Sequence, residues 1–210
     1  MISGAEDRAN RRRRGTRPSG DDREAALFET LERLLQEQSF DEVTIADLAE
    51  GAGLSRPSFY FYFASKEEVL VALLKRLVAQ AEEAGMAAHR RLAGRPGPHW
   101  RELIAAHHSV YLQRRNIVLA GLQAQCRYPE ARRVMEELRE YRIQRTIQTI
   151  EKERGGRTLA SGLSARQAAV ALIAMNEEVL HAALRKDRMA LPDEESITVL
   201  AALWTQVVDS

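Results

Sequence analysis

The chain of 210 residues is poor in several things at once, and each shortage excludes something. A single cysteine, Cys126, excludes an intrachain disulfide framework and a cysteine-based zinc site. The longest unbroken apolar run is Ala168–Met175, far short of the roughly 20 residues that a membrane-spanning helix needs. Charge without an apolar h-region at the N-terminus argues against a secretory signal, so a cytoplasmic, soluble protein is expected. Glycine and proline are concentrated in residues 15–20, 51–57, 94–98 and 155–162, which hold 13 of the 18. Histidines 89, 99, 107, 108 and 181 show no metal-ligand spacing, and there is no Walker-type loop. Neither an enzyme nor a bound cofactor or metal is expected. Disorder throughout is excluded too, because 45% of the residues are apolar and can bury a core.

Charge is present but unevenly placed. Residues 1–20 hold six arginines against Glu6 and Asp7, whereas residues 21–210 hold 25 basic and 28 acidic side chains. A disordered basic arm ahead of a mildly acidic body suits an anionic polymer, or serves only to solubilise the chain.

Between the glycine-rich breaks, apolar residues recur at three and four, and no sustained alternation suggests a strand. The expected fold is all-α, with about nine helices. The spacing predicts helices over Asp22–Gln38, Ser65–Leu92, His99–Arg115, Ile117–Arg127, Glu130–Arg154, Ser164–Lys186 and Asp193–Val208, besides two short ones. Ser65 with Glu68, and Ser164 with Gln167, have capping-box spacing.

The short helices carry the chemistry. Thr44 can cap a helix over Ile45–Glu50, with Asp47 at its third position. Gly53 permits the left-handed backbone of a sharp turn. Ser55 is a second N-cap, and Pro57 falls in the first helical turn, where its missing N–H costs little. Two short helices joined in this way form a helix-turn-helix, whose second helix can lie in the DNA major groove. Small Ala49 suits the point where they cross. Five of the chain's 12 aromatic residues lie in Phe59–Phe63. Phe59 and Phe63 share a side with Leu48 and Leu54 and are expected in the core. Tyr60 and Tyr62, beside Arg56 and Ser58, suit phosphate and base-edge hydrogen bonding.

The combination of Thr44, Ala52-Gly53, Leu54-Ser55, Phe59-Tyr60, Tyr62-Phe63 and Ser65-Lys66-Glu67 resembles the DNA-binding domain of TetR-type transcriptional regulators over roughly residues 22–75. That resemblance implies a helix-turn-helix domain over residues 21–68 and a ligand-binding and dimerisation body over 69–210. It implies contacts to double-stranded DNA from Thr44, Ser55, Arg56, Pro57, Ser58, Tyr60, Phe61, Tyr62 and Lys66. The cluster Arg11, Arg12, Arg13 and Arg14 would follow the DNA backbone or a minor groove. Residues 21–75 hold only 5 basic side chains against 12 acidic ones, so the placement of each cation matters.

In the body, the alanine-rich helix from 164 and the last helix are candidates for pairing with a second copy in a homodimer, or for burial within one subunit. Trp100, Ile104, His107 and Tyr111 share one helical stripe. Asn176, in an apolar setting, needs a partner, whether an internal group, a water or a ligand. A closer likeness to one branch of the family rests on Trp100-Arg101, Met175-Asn176-Glu177 and Trp204. It implies a ligand cavity lined by Trp100, Ile104, His107, Tyr111, Asn176 and Trp204. An apolar pocket with one polar anchor implies a hydrophobic, uncharged small-molecule effector. The implied function is a repressor that binds a palindromic operator as a dimer and is released by that effector. The alternative is a ligand-independent DNA-binding protein of the same fold.

Overall fold

The computed structural model describes residues 19–92, 99–154 and 162–208. The arginine cluster at 11–14 and the expected loops at 94–98 and 155–161 lie outside these residues. Within them the chain forms α1 (Gly20–Glu37), α2 (Ile45–Gly51), α3 (Arg56–Phe59), α4 (Lys66–Leu92), α5 (Trp100–Gln113), α6 (Arg115–Arg127), α7 (Pro129–Arg154), α8 (Ala165–Arg185) and α9 (Asp193–Val208). No strand occurs among the described residues, and no helix is long and apolar enough to cross a membrane.

The differences from expectation lie at the helix ends. The first helix starts two residues early because Ser19 caps it. The Ser19 hydroxyl accepts from the Asp22 N–H at 3.1 Å, and the Asp22 carboxylate accepts from the Ser19 N–H at 2.8 Å. The end of the expected arm therefore belongs to the first turn. Arg114 ends α5 and starts α6, so the sixth helix begins at Arg115 rather than Ile117. Pro129 opens α7, where no N–H is needed. Ser65 accepts from the Glu68 N–H at 3.3 Å as expected. The Glu68 carboxylate, however, reaches past Ser65 to the Ala64 N–H at 2.7 Å.

Two cores result. The first joins α1–α3 to α4 and α6 through Leu27, Leu31, Phe40, Leu48, Phe59 and Leu70, all of them buried. The second lies among α5, α7, α8 and α9, around Trp100, Ile150, Leu172, Leu200 and Trp204. The helix α4 takes part in both halves of the molecule. It packs on α1 near its start and on α5 along its length.

Candidate DNA interface and ligand cavity

At one end of the molecule, local sequence shapes the recognition unit. The Thr44 hydroxyl accepts from the Asp47 N–H at 3.2 Å, and the Asp47 carboxylate accepts from the Thr44 N–H at 2.9 Å. The Thr44 hydroxyl also donates to the Asp47 carboxylate at 2.7 Å, and this bond, with that from the Thr44 N–H, holds the Asp47 carboxyl below its usual pKa. Gly53 has φ +65°, the conformation the turn between α2 and α3 requires. Ser55 caps α3 by accepting from the Ser58 N–H at 3.2 Å. Ala49 is buried at the crossing, where its carbonyl accepts from the Leu54 N–H at 2.8 Å.

The aromatic run divides as its spacing predicts for the core pair: Phe59 and Phe63 are buried. Tyr60 is half exposed with its ring edge-on to Phe59, and Phe61 is 87% exposed. Tyr62 packs partly against the core. Thr44, Ser55, Arg56 and Pro57 are exposed and Ser58 is half-buried, all on the surface that carries Tyr60. Lys66 differs from expectation. Its ammonium donates to the carbonyls of Phe40, Asp41 and Val43 at 2.9, 2.9 and 2.8 Å, and it lies over the Phe40 ring. Lysine has three N–H donors, and all three are used inside the protein. What Lys66 can still offer a phosphate is the backbone N–H at the start of α4.

At the other end, α4, α5, α7, α8 and α9 line a partly open cavity of about 600 Å³, within the usual size of small-molecule sites. All six expected lining residues, Trp100, Ile104, His107, Tyr111, Asn176 and Trp204, come together on its wall. The two tryptophan rings pack at a tilt of 42°, with centroids 5.0 Å apart. The partner of Asn176 is internal: its Oδ1 accepts from the Trp204 indole N–H at 3.1 Å. Its two amide N–H donors have no partner among the described residues. His107 Nδ1 lies 3.0 Å from the Leu103 carbonyl. Since a carbonyl only accepts, Nδ1 donates in this contact. The His107 ring occupies the space where a side chain on Gly85 would start, so a Cβ there would meet it at 2.4 Å. Glycine at 85 is what lets α5 come so close to α4.

Sequence reasoning missed two features of this wall. One is an ionic pair, Arg142 from α7 with Glu177 from α8, joined by Arg139. The signal was a lone acid among the apolar positions of the eighth helix. The other is His108, 5% exposed, whose Nε2 has no hydrogen-bond partner among the described residues. Burial, helped by the neighbouring His107, pushes its pKa down to about 4, so the ring is neutral. Burial also raises the Tyr111 hydroxyl and lowers His181.

The halves are tied together by ion pairs of Arg114 with Glu32 and of Arg127 with Asp41. The Tyr128 hydroxyl also donates to Asp41 at 3.3 Å.

A capped helix-turn-helix carried on a helical body with a cavity defines a helix-turn-helix transcription regulator. The comparisons with known proteins agree. Residues 27–73 match the family described as bacterial regulatory proteins, tetR family, and residues 100–209 match the C-terminal domain of the transcriptional regulator EthR. The chain belongs to the TetR family of transcriptional regulators. It is 34% identical to the HTH-type transcriptional regulator EthR of Mycolicibacterium smegmatis, over 97% of this chain and 94% of that one. It is 35% identical to EthR of Mycobacterium tuberculosis, over 92% and 90%. Among solved structures, it shares its fold with a TetR-family regulator from Syntrophomonas wolfei, with a TM-score of 0.75 at 14% identity, covering 91% of this chain and 97% of that one. It also resembles NalD, the secondary repressor of the MexAB-OprM multidrug efflux pump in Pseudomonas aeruginosa, with a TM-score of 0.69 at 19% identity, covering 90% and 98%. A third neighbour, from Saccharomonospora viridis, was solved with choline, with a TM-score of 0.65 at 18% identity, covering 89% and 96%.

Proposed function

We propose that this regulator is a homodimeric repressor of the cytoplasm that binds a palindromic operator and lets go when a hydrophobic small molecule fills the cavity. The observation that carries this reading is the continuity of α4. Its 27 residues form one helix of about 40 Å, which starts beside α3 and lines the cavity with Gly85 and Met86. A ligand that favours one packing of α4 against α5 thereby favours one placing of the recognition helix. It acts only through the difference in its affinity for the two arrangements.

Two further features support the reading. Val170 on α8 and Val199 and Leu203 on α9 are about 40% exposed, an apolar surface suited to a second copy. Arg56, Tyr60 and Phe61 project from the recognition unit, where a groove can receive them.

The test combines footprinting on DNA flanking the protein's own gene with sedimentation. A dimer protecting two half-sites about 34 Å apart, one DNA turn, is the expected result. A monomer, or binding without salt dependence, would overturn it.

A further inference from the structure

The cavity wall changes character along its length. At one end it is aromatic, with Trp100 packed at a tilt against Trp204. Elsewhere Arg142 and Glu177 stand in the wall. The same two residues, with His181, also line a second groove of about 840 Å³ on the other side. The ion pair is thus a partition between the interior cavity and an outer groove.

The partition is not neutral. One carboxylate oxygen of Glu177 meets Arg142, and the other meets Arg139 at 2.5 Å, so two guanidiniums share one carboxylate. The next pair, Arg145 with Glu82 at 3.6 Å, cancels itself. His181 adds no charge, because burial lowers its pKa. The surplus positive charge is that of Arg139, which is half-exposed on the outer groove and does not line the cavity. The Arg142 side chain is only 19% exposed, and a guanidinium has five N–H donors in a fixed fork. One goes to Glu177 and one to the Tyr111 hydroxyl. A carboxylate matches the geometry of the donors that the fork has left.

Resting on the reading that the effector occupies this cavity, we propose that the effector is an amphipathic carboxylic acid. Its carboxylate sits on Arg142 and Tyr111, and its alkyl or aryl body runs along Ile104 toward the tryptophan pair. The sequence pointed to an uncharged molecule because the partition is assembled from residues 35 positions apart. A cationic head, such as a quaternary ammonium, offers no acceptor to the Arg142 fork and is disfavoured.

Trp100 and Trp204 are the chain's only tryptophans and both line the cavity, so intrinsic fluorescence reads its occupancy. The full-length protein is titrated at pH 7.5 with decanoic acid, decan-1-ol, methyl decanoate and decyltrimethylammonium. The acid is expected to bind about tenfold or more tighter than the alcohol or ester, as a charge-assisted hydrogen bond implies, and the ammonium weakest. The double variant R142M/E177M removes both charges and leaves neither unpaired. It should lose the preference for the acid over the alcohol. R142K, which keeps the charge without the fork, should lose part of it. Equal affinity for acid and alcohol, or a preference surviving in the double variant, overturns the proposal. If the alcohol or ester binds best and releases operator DNA, the effector reading stands and the carboxylate assignment falls. If no probe changes the tryptophan signal, both fall.

Discussion

The Trp204 indole N–H donates to Asn176 Oδ1 at 3.1 Å, tying the last helix to α8 across the cavity wall. The bond fixes the amide, because an indole can only donate, and so turns its N–H₂ group away from Trp204. Asn176→Leu removes that donor and leaves the indole N–H unpaired, a cost of roughly 1–3 kcal/mol. Effector affinity should fall while operator affinity without effector stays unchanged. An operator-release titration on wild type and variant checks this. Identical release curves would make Asn176 a packing residue only.

Arg56 is the exposed cation of the recognition helix, in a domain dominated by acids. If its guanidinium reads a guanine, Arg56→Ala costs on the order of 1–3 kcal/mol and relaxes base preference at one position of each half-site. Affinity is to be measured on the operator and on random duplexes of equal length. An equal loss on both would show a phosphate contact instead.

For Lys66 the expected effect is on folding. Its ammonium closes the Phe40–Val43 turn with three hydrogen bonds. Hydrogen bonds to charged groups contribute roughly 1.5–3 kcal/mol, so Lys66→Met should cost about 2 kcal/mol in urea unfolding. The salt dependence of DNA binding should not change, since this ammonium does not neutralise a phosphate. A flatter salt slope with unaltered stability would return Lys66 to the DNA.

What was legible in the sequence was local. Thr44 with Asp47, Ser55 with Ser58, and Ser164 with Gln167 are pairs three residues apart, and a cap depends on little else. The core positions Phe59 and Phe63 followed from helical spacing. The cavity set was different: the family likeness pointed to it, and folding brought Trp100, Asn176 and Trp204 together. Illegible were the partners fixed by tertiary packing. Lys66 bonds carbonyls 23 to 26 residues away, and Arg142 meets Glu177 at a separation of 35. No periodicity reports such distances.

The basic arm gives a prediction of its own, from sequence alone. Deleting residues 1–17 removes six arginines against two acids. Binding to all DNA sequences should weaken, and the logarithmic salt slope should flatten by about one unit for each lost phosphate contact. An unchanged slope would mean that the arm never meets DNA.

The last prediction concerns acid. His108 is buried and neutral, with its pKa pushed down to about 4 from an ordinary 6.5. Asp193 nearby favours the charged ring, but desolvation and His107 outweigh it. The unfolded chain therefore takes up a proton that the folded one refuses. Stability from this group is complete above about pH 6.5 and is lost as pH falls toward 4. The full shift corresponds to at most about 3 kcal/mol at 1.36 kcal/mol per unit. His181, also lowered by burial, acts in the same window. The exposed capping carboxylates of Asp22 and Asp47 have lowered pKa values, so their contribution fades only as pH falls below the ordinary carboxylate range. The two groups are thus separable by pH. Urea midpoints between pH 7.5 and 4.5 should fall in wild type and fall less in His108→Phe. The double variant with His181→Phe should be flatter still. Parallel curves for all three proteins would show that His108 is protonated within the fold and that its imidazole finds a partner there.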